Sequence, residues 1–180
     1  MARIQPVLIT EAPAAVKAAF KKHTEEYQAR ITNMKATLAK SLPSFEVYMQ
    51  WYVLYEELKK LVGKRIAPLY AYAVSHAADC PLCSTFFRKI IIESGENPDQ
   101  LQLSEDENQL LKFGSAIAQT QGHISDELYD SMKTKYSEEE MVLLIAFAGQ
   151  MIATNIFNNV IETQIDDYLI EFLKPEKSSS

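Results

Sequence analysis

The chain has 180 residues, 47% hydrophobic and 23% charged, with a net charge of −6 and a pI near 5.1. That balance excludes a disordered chain and gives length for one domain burying roughly 70% of its unfolded surface. With no cluster of Lys and Arg to meet phosphates, it also argues against nucleic-acid binding.

Only 5 Gly and 7 Pro are available, too few for the tight turns of a sandwich or barrel, so the composition predicts an all-α fold of long helices and short loops. The N-terminal MARIQPVLITEAP lacks the apolar core and cleavage site of a signal peptide, and a cytoplasmic protein is expected. From Thr10 to about Lys40, Val16, Phe20, Tyr27, Ile31, Met34 and Leu38 recur on one face and predict a long helical arm, which Pro43 ends. A second helix over 44–62 carries Phe45, Tyr48, Trp51, Tyr52, Tyr55 and Leu58, assigned to the core with an oligomer contact as the alternative, and Gly63 closes it.

Residues 65–78 read as a short helix entering through Pro68, after which Asp79 is placed to cap a helix running CPLCSTFFRKIIIES. Ser104 with Glu107 forms a capping box for a helix reaching about Thr120, and Ser125 caps the next. Ser137 with Glu140 forms a second box and opens an apolar helix to about Ile165. Its stretch MVLLIAFAGQMIATNIF is interrupted by Gln150, Thr154 and Asn155 and reads as too short and too polar at one end to span a bilayer, so no membrane partner is expected. Those groups, with Asn158, are assigned to hydrogen bonds in a core or subunit contact, a pocket wall being the alternative. A short terminal helix, DDYLIEFL, precedes KPEKSSS, which is expected to be disordered. The predicted organisation is one domain over 1–174, with 10–40 as its N-terminal arm and 175–180 as a tail.

The chain's two cysteines, Cys80 and Cys83, lie at the start of a predicted helix, four residues after His76. Unpaired N–H groups and the positive end of the helix dipole favour a thiolate there, which lowers a thiol pKa and makes it nucleophilic. The spacing also lets one sulfur resolve the other as a disulfide, with no metal or other cofactor required. Two alternatives stand beside this one: a zinc site, for which His76, Cys80 and Cys83 give three ligands at most, and two inert buried thiols. CPLC also fits a glutaredoxin-like local pattern, but the preceding PLYAYAVSHAA is helix-forming where that fold needs a strand. His76 could take a proton from Cys80 if the helix ran on through both, or serve as a structural hydrogen-bonding residue.

The segment AYAVSHAADCPLCSTFFRKIIIESG, together with ISDELYDSMKTKYSEEEMVLL and the amide-rich ATNIFNNV, resembles the carboxymuconolactone decarboxylase superfamily, in particular its alkylhydroperoxidase AhpD-like branch, over roughly residues 45–173. The resemblance implies an AhpD-like domain of about seven to eight helices with an extra long N-terminal helix, assembled as a homo-oligomer, a trimer or hexamer. It implies reduction of hydroperoxides through a disulfide cycle, with Cys83 attacking the peroxide, Cys80 resolving, and a dithiol or lipoylated protein as reductant. The family's relay glutamate and histidine fall here on Pro68 and Phe87, neither of which carries a proton. His76, Tyr72 and a carboxylate of the preceding helix, Glu57 or Glu56, are the nearest titratable groups upstream and the candidate replacements. A lactone decarboxylase that does not use the pair, and a non-catalytic helical scaffold, are the competing readings.

Overall fold

Eight α-helices and one 3₁₀ helix, with no strand, make up the described residues 2–174 of the computed structural model. The helices are α1 Ala14–Tyr27, α2 Asn33–Leu38, α3 Leu42–Met49, α4 Trp51–Ala77, α5 Pro81–Glu93, α6 Glu105–Gln119, α7 Asp126–Lys133 and α8 Glu138–Ile161, followed by the 3₁₀ helix Asp167–Phe172. The tail expected at 175–180 lies outside the described residues.

The N-terminal arm is two helices, not one. Gln28 adopts a left-handed conformation (φ 49°) that ends α1, and Thr32 opens α2 by accepting the Lys35 backbone N–H on its side chain. Apolar spacing continues through this turn, so the pattern alone reads as one helix. Both pieces pack onto the body: Val16, Phe20, Leu38, Phe45 and Met49 form one buried cluster, with Tyr52 and Phe157 against it. Pro43 falls in the first turn of α3, where its missing N–H leaves no bond unmade.

Gly63 breaks α4 with φ 88° and ψ 157°, a backbone state that a side chain disfavours, so α4 is two segments meeting at an angle. The second segment, over 64–77, runs through the middle of the molecule against α5, α6 and α8. Tyr70, Phe87, Phe113 and Phe147 are fully buried there, and the Tyr70 hydroxyl donates to the Leu144 carbonyl at 3.1 Å. Gly114 of α6 lies so close to the Tyr70 ring that an added Cβ would be 2.6 Å from it, which fixes the α4–α6 approach.

Both predicted capping boxes are formed, Ser104 with Glu107 and Ser137 with Glu140. The helix from Ser137 stops at Ile161, because Glu162 turns left-handed (φ 52°). At 24 residues it is shorter than the helix to about Ile165 expected from sequence, and it is long and apolar enough, by length and composition alone, to cross a bilayer, a test that core helices of soluble proteins also pass. One of its faces is nevertheless in the core, through Leu144, Phe147, Met151 and Asn155, while Val142, Ile145, Ile156 and Val160 face outward.

His23 of α1 is only 3% exposed and sits among the rings of Tyr27, Phe45 and Tyr52 at 5.3–5.6 Å, with neither ring nitrogen hydrogen-bonded. Burial, and then the nearby Lys35 charge, lower its pKa to about 4. Below the ordinary histidine value the unfolded chain takes up a proton that the folded one refuses, so stability falls as pH drops from about 6.5 toward 4 and levels off below. The loss is roughly 2–3 kcal/mol. Urea unfolding across this range, with His23→Phe as the comparison, measures it: the slope over this window is expected to shrink in the variant.

Candidate functional site

The turn between α4 and α5 sets the geometry of the cysteines. Asp79, read from sequence as the cap of α5, instead takes the left-handed position (φ 49°) that closes α4. Its N–H bonds to the His76 carbonyl at 3.2 Å and the Cys80 N–H to the Ser75 carbonyl at 3.1 Å, the paired bonds of a Schellman motif. Aspartate tolerates this conformation, so it ends one helix and leaves the start of the next to its neighbour. The cap of α5 is therefore Cys80, whose Sγ accepts the Cys83 backbone N–H at 3.5 Å, and Pro81 occupies the first turn.

Cys80 and Cys83 are both reduced and nearly enclosed, 1% and 6% exposed, in a small cluster closed over by Leu82 and by Leu169 of the 3₁₀ helix. Their proton affinities are driven apart. A hydrogen bond from the Cys83 thiol, opposed by burial and helped by backbone N–H groups of Cys83 and Leu82, lowers the Cys80 pKa. The same contact, with burial and the Cys80 charge, raises Cys83 well above the ordinary thiol value. Cys80 is thus the more acidic sulfur of the pair, and Cys83 the one that keeps its proton.

Two amides of α8 hold this arrangement. Asn158 Nδ2 donates to Cys83 Sγ at 3.2 Å, and Asn158 Oδ1 accepts from the Thr163 hydroxyl at 2.9 Å. Asn159 Nδ2 donates to the Asp79 and Ala78 carbonyls at 3.0 and 3.3 Å, pinning the turn that carries the cap. The sequence placed Asn158 among core or contact amides, and its helical spacing carried no signal of a sulfur partner. Asn159 was not singled out. Asn155 is buried with neither side-chain atom hydrogen-bonded.

Cys83, and not Cys80, lines a partly open cavity of about 90 Å³. Its walls are mostly apolar and aromatic, from Met34, Trp51, Leu82, Phe86, Met151 and Leu169. Trp51 stacks on Tyr55 with ring centres 4.6 Å apart and donates its indole N–H to Met151 Sδ at 2.8 Å. The polar wall comes from Lys35, Tyr52, Thr154, Asn158 and Asp166. Lys35 and Tyr52 were not anticipated as site residues, because α2 and α4 read as a continuous arm and an aromatic core face.

The candidate relay residues are not gathered at the sulfurs. His76 is exposed, its ring stacked on the Tyr72 ring at 5.7 Å, and it serves the cysteine turn through its backbone carbonyl. Tyr72 is half-buried and faces Arg88 of α5. Glu57 and Glu56 are exposed and paired with Lys60 and Lys59 at 2.7 and 2.5 Å. None of the four lines the cavity. Pro68 and Phe87, where the sequence resemblance would put the relay residues, are both buried. Among the described residues no three His, Cys, Asp or Glu side chains are grouped to hold a metal ion.

Neither a family model nor a curated protein sequence matches the chain. Its three-dimensional relatives are clear. A complex of the debrominase Bmp8, in a cysteine-to-alanine variant with 2,3,4-tribromopyrrole, superposes with TM-score 0.76 at 19% identity, covering 94% of each chain. An alkylhydroperoxidase AhpD core protein from Ralstonia eutropha JMP134, described as peroxidase-related, gives 0.72 at 14% identity over 93% of this chain and 94% of that one. A peroxidase-related protein from Silicibacter sp. TM1040 gives 0.69 at 12% identity over 88% of each. The chain has an all-α, AhpD-like fold, shared with these structures.

The contact between the sulfurs makes a direct prediction. Cys83→Ala removes the donor and is expected to move the Cys80 pKa up toward an ordinary thiol, whereas His76→Ala leaves it in place. The pH dependence of thiolate ultraviolet absorbance, or of alkylation by iodoacetamide, reads both.

Proposed function

We propose that the chain is a thiol-dependent oxidoreductase that reduces hydroperoxides through a disulfide cycle between Cys83 and Cys80. The observation that carries this reading is the division of labour in the pair. Cys83 lines the cavity while Cys80, the better anion, lies behind it as the helix cap. Cys80 then does what the missing glutamate and histidine do elsewhere in the family: its thiolate takes the Cys83 proton as Cys83 attacks.

The cycle balances without a cofactor. Cys83 sulfur bonds to the terminal peroxide oxygen, the O–O bond breaks, and the leaving alkoxide takes the proton held by Cys80. This gives an alcohol, a Cys83 sulfenic acid and a Cys80 thiolate. The thiolate attacks the Cys83 sulfur, the S–O bond breaks, and hydroxide leaves as water with a proton from solvent. An external dithiol, free or on a lipoyl-bearing protein, reopens the disulfide by exchange. Asn158 supports the attacking sulfur through its N–H, and the apolar walls keep water from the sulfenic acid.

A second reading is reductive dehalogenation, favoured by the likeness to Bmp8 and by the aromatic walls of the cavity. There Cys83 would attack the halogen of a small ring, the ring would take a proton, and Cys80 would displace halide from sulfur. The balance is one aryl halide and two thiols giving the arene, a disulfide and hydrogen halide.

Titration with tert-butyl hydroperoxide separates these readings from a scaffold. The expected result is loss of both thiols, restored by dithiothreitol, and in Cys80→Ser a sulfenic acid trapped at Cys83 by dimedone. Loss of thiols with bromopyrrole and release of bromide, but not with peroxide, selects the second reading. Thiols stable to both reagents in the folded protein overturn the proposal.

A further inference from the structure

Lys35 stands out in a cavity otherwise built from rings and thioethers. It is 5% exposed, and a buried ammonium is tolerated only where its donors are met. Its Nζ donates to the Arg30 carbonyl and to the Tyr52 hydroxyl, each at 2.8 Å. An ammonium has three N–H donors, and the third has no partner among the described residues. Tyr52 accepts from Lys35, and its own O–H likewise meets no acceptor there. Both side chains line the cavity that Cys83 lines. The polar end of that cavity therefore presents a positive charge and two unused donors.

Asp166 is the nearby carboxylate, and it does not complete the set. Its Oδ1 accepts the Asn33 backbone N–H at 2.9 Å and makes no hydrogen bond to Lys35; burial raises its pKa, while backbone N–H groups and the Lys35 and Arg30 charges act to lower it. Lys35 is left with two neutral oxygen partners, an arrangement that an incoming anion improves and a neutral ligand does not.

We infer that Lys35 and Tyr52 are the anion-binding end of the substrate cavity, and that the substrate is a small organic acid whose carboxylate or phenolate oxygen they hold while its electrophilic atom meets Cys83. The second half rests on the thiol-dependent reading above. The size of the site limits the class: a dry apolar cavity of roughly 150 Å³ takes benzene. At about 90 Å³ with an open side, this one takes a short chain or a single ring that reaches the opening.

Trp51, the chain's single tryptophan, lines the cavity and reports occupancy directly by fluorescence. Benzoate is expected to bind about tenfold more tightly than benzyl alcohol near neutral pH, from the charge-assisted bonds it alone can make. Lys35→Met is expected to abolish that preference, and Tyr52→Phe to weaken benzoate about three- to tenfold by removing one donor.

The wild-type pH series supplies a control that needs no variant to fold. Burial lowers the Lys35 pKa to about 8, the Asp166 charge acting to raise it and Arg30 to lower it. Benzoate affinity is expected to fall as pH rises beyond that value, while benzyl alcohol binding stays level. The other groups facing Lys35 titrate elsewhere, His23 near 4 and Tyr52 and Tyr168 near 12. Equal affinity for the two probes in the wild-type protein, a preference surviving in folded Lys35→Met, or a benzoate affinity flat with pH overturns the inference. The readout involves no sulfur chemistry, so the two proposals fail separately. Two thiols lost to peroxide without a benzoate preference removes the anion site alone, and a benzoate preference with inert thiols removes the redox reading alone.

Discussion

The Cys83 N–H reaching back to the Cys80 sulfur is a capping bond of the kind usually made by Ser, Thr, Asp or Asn. Using sulfur there joins a structural task to a chemical one. The unsatisfied N–H groups at the start of α5 must meet an acceptor, and a thiolate is a better acceptor than a thiol. The demand of the helix end and the demand of a nucleophilic pair therefore favour the same ionisation state. Everything nearby serves this point: the left-handed Asp79 that frees Cys80 to cap, the Asn159 amide on the turn carbonyls, and the Asn158 amide on the second sulfur.

The positions that the sequence resemblance assigns to an acid–base relay, Pro68 and Phe87, are occupied by packing residues. Phe87 is buried against the stacked rings of Trp51 and Tyr55, each about 6 Å away centre to centre, and a charged group in that place would be stripped of solvent. An apolar residue there packs the core, and the proposed reaction accordingly assigns proton transfer to the sulfurs themselves. Pro68 follows the Gly63 break and is buried within the second segment of α4.

How much of this was legible from the residues depended on whether the signal was local. The capping boxes at Ser104 and Ser137 and the stop at Gly63 are short-range chemistry, and they stand where the pattern put them. The Cys-x-x-Cys at a helix start was also legible, although its cap was assigned to Asp79, one residue early, because aspartate is both a good N-cap and one of the few residues at ease with positive φ. The break at Gln28 was invisible, since glutamine carries no preference for a left-handed turn. Asn158 and Lys35 were the hardest. Their roles exist only in the folded chain, where Asn158 of α8 meets Cys83 across 75 residues and Lys35 of α2 meets Tyr52 of α4 across 17. His76, Tyr72 and the Glu56–Glu57 pair illustrate the reverse: closeness in sequence to the cysteines did not bring them into the cavity, because the helix that carries them turns those side chains away.

The cavity wall has a further implication. Its sulfur end is built from α5 and α8, while Met34 and Lys35 belong to α2, in the N-terminal segment that joins the body through its own hydrophobic cluster. On the proposed readings the reacting sulfurs sit on α5, and the ammonium that receives the substrate sits on α2 beside Tyr52 of α4. On those readings, exchanges in α2 retune which molecule is admitted while both sulfurs stay on α5, and Met34, which packs against the cysteine cluster, is the point where the two pieces meet.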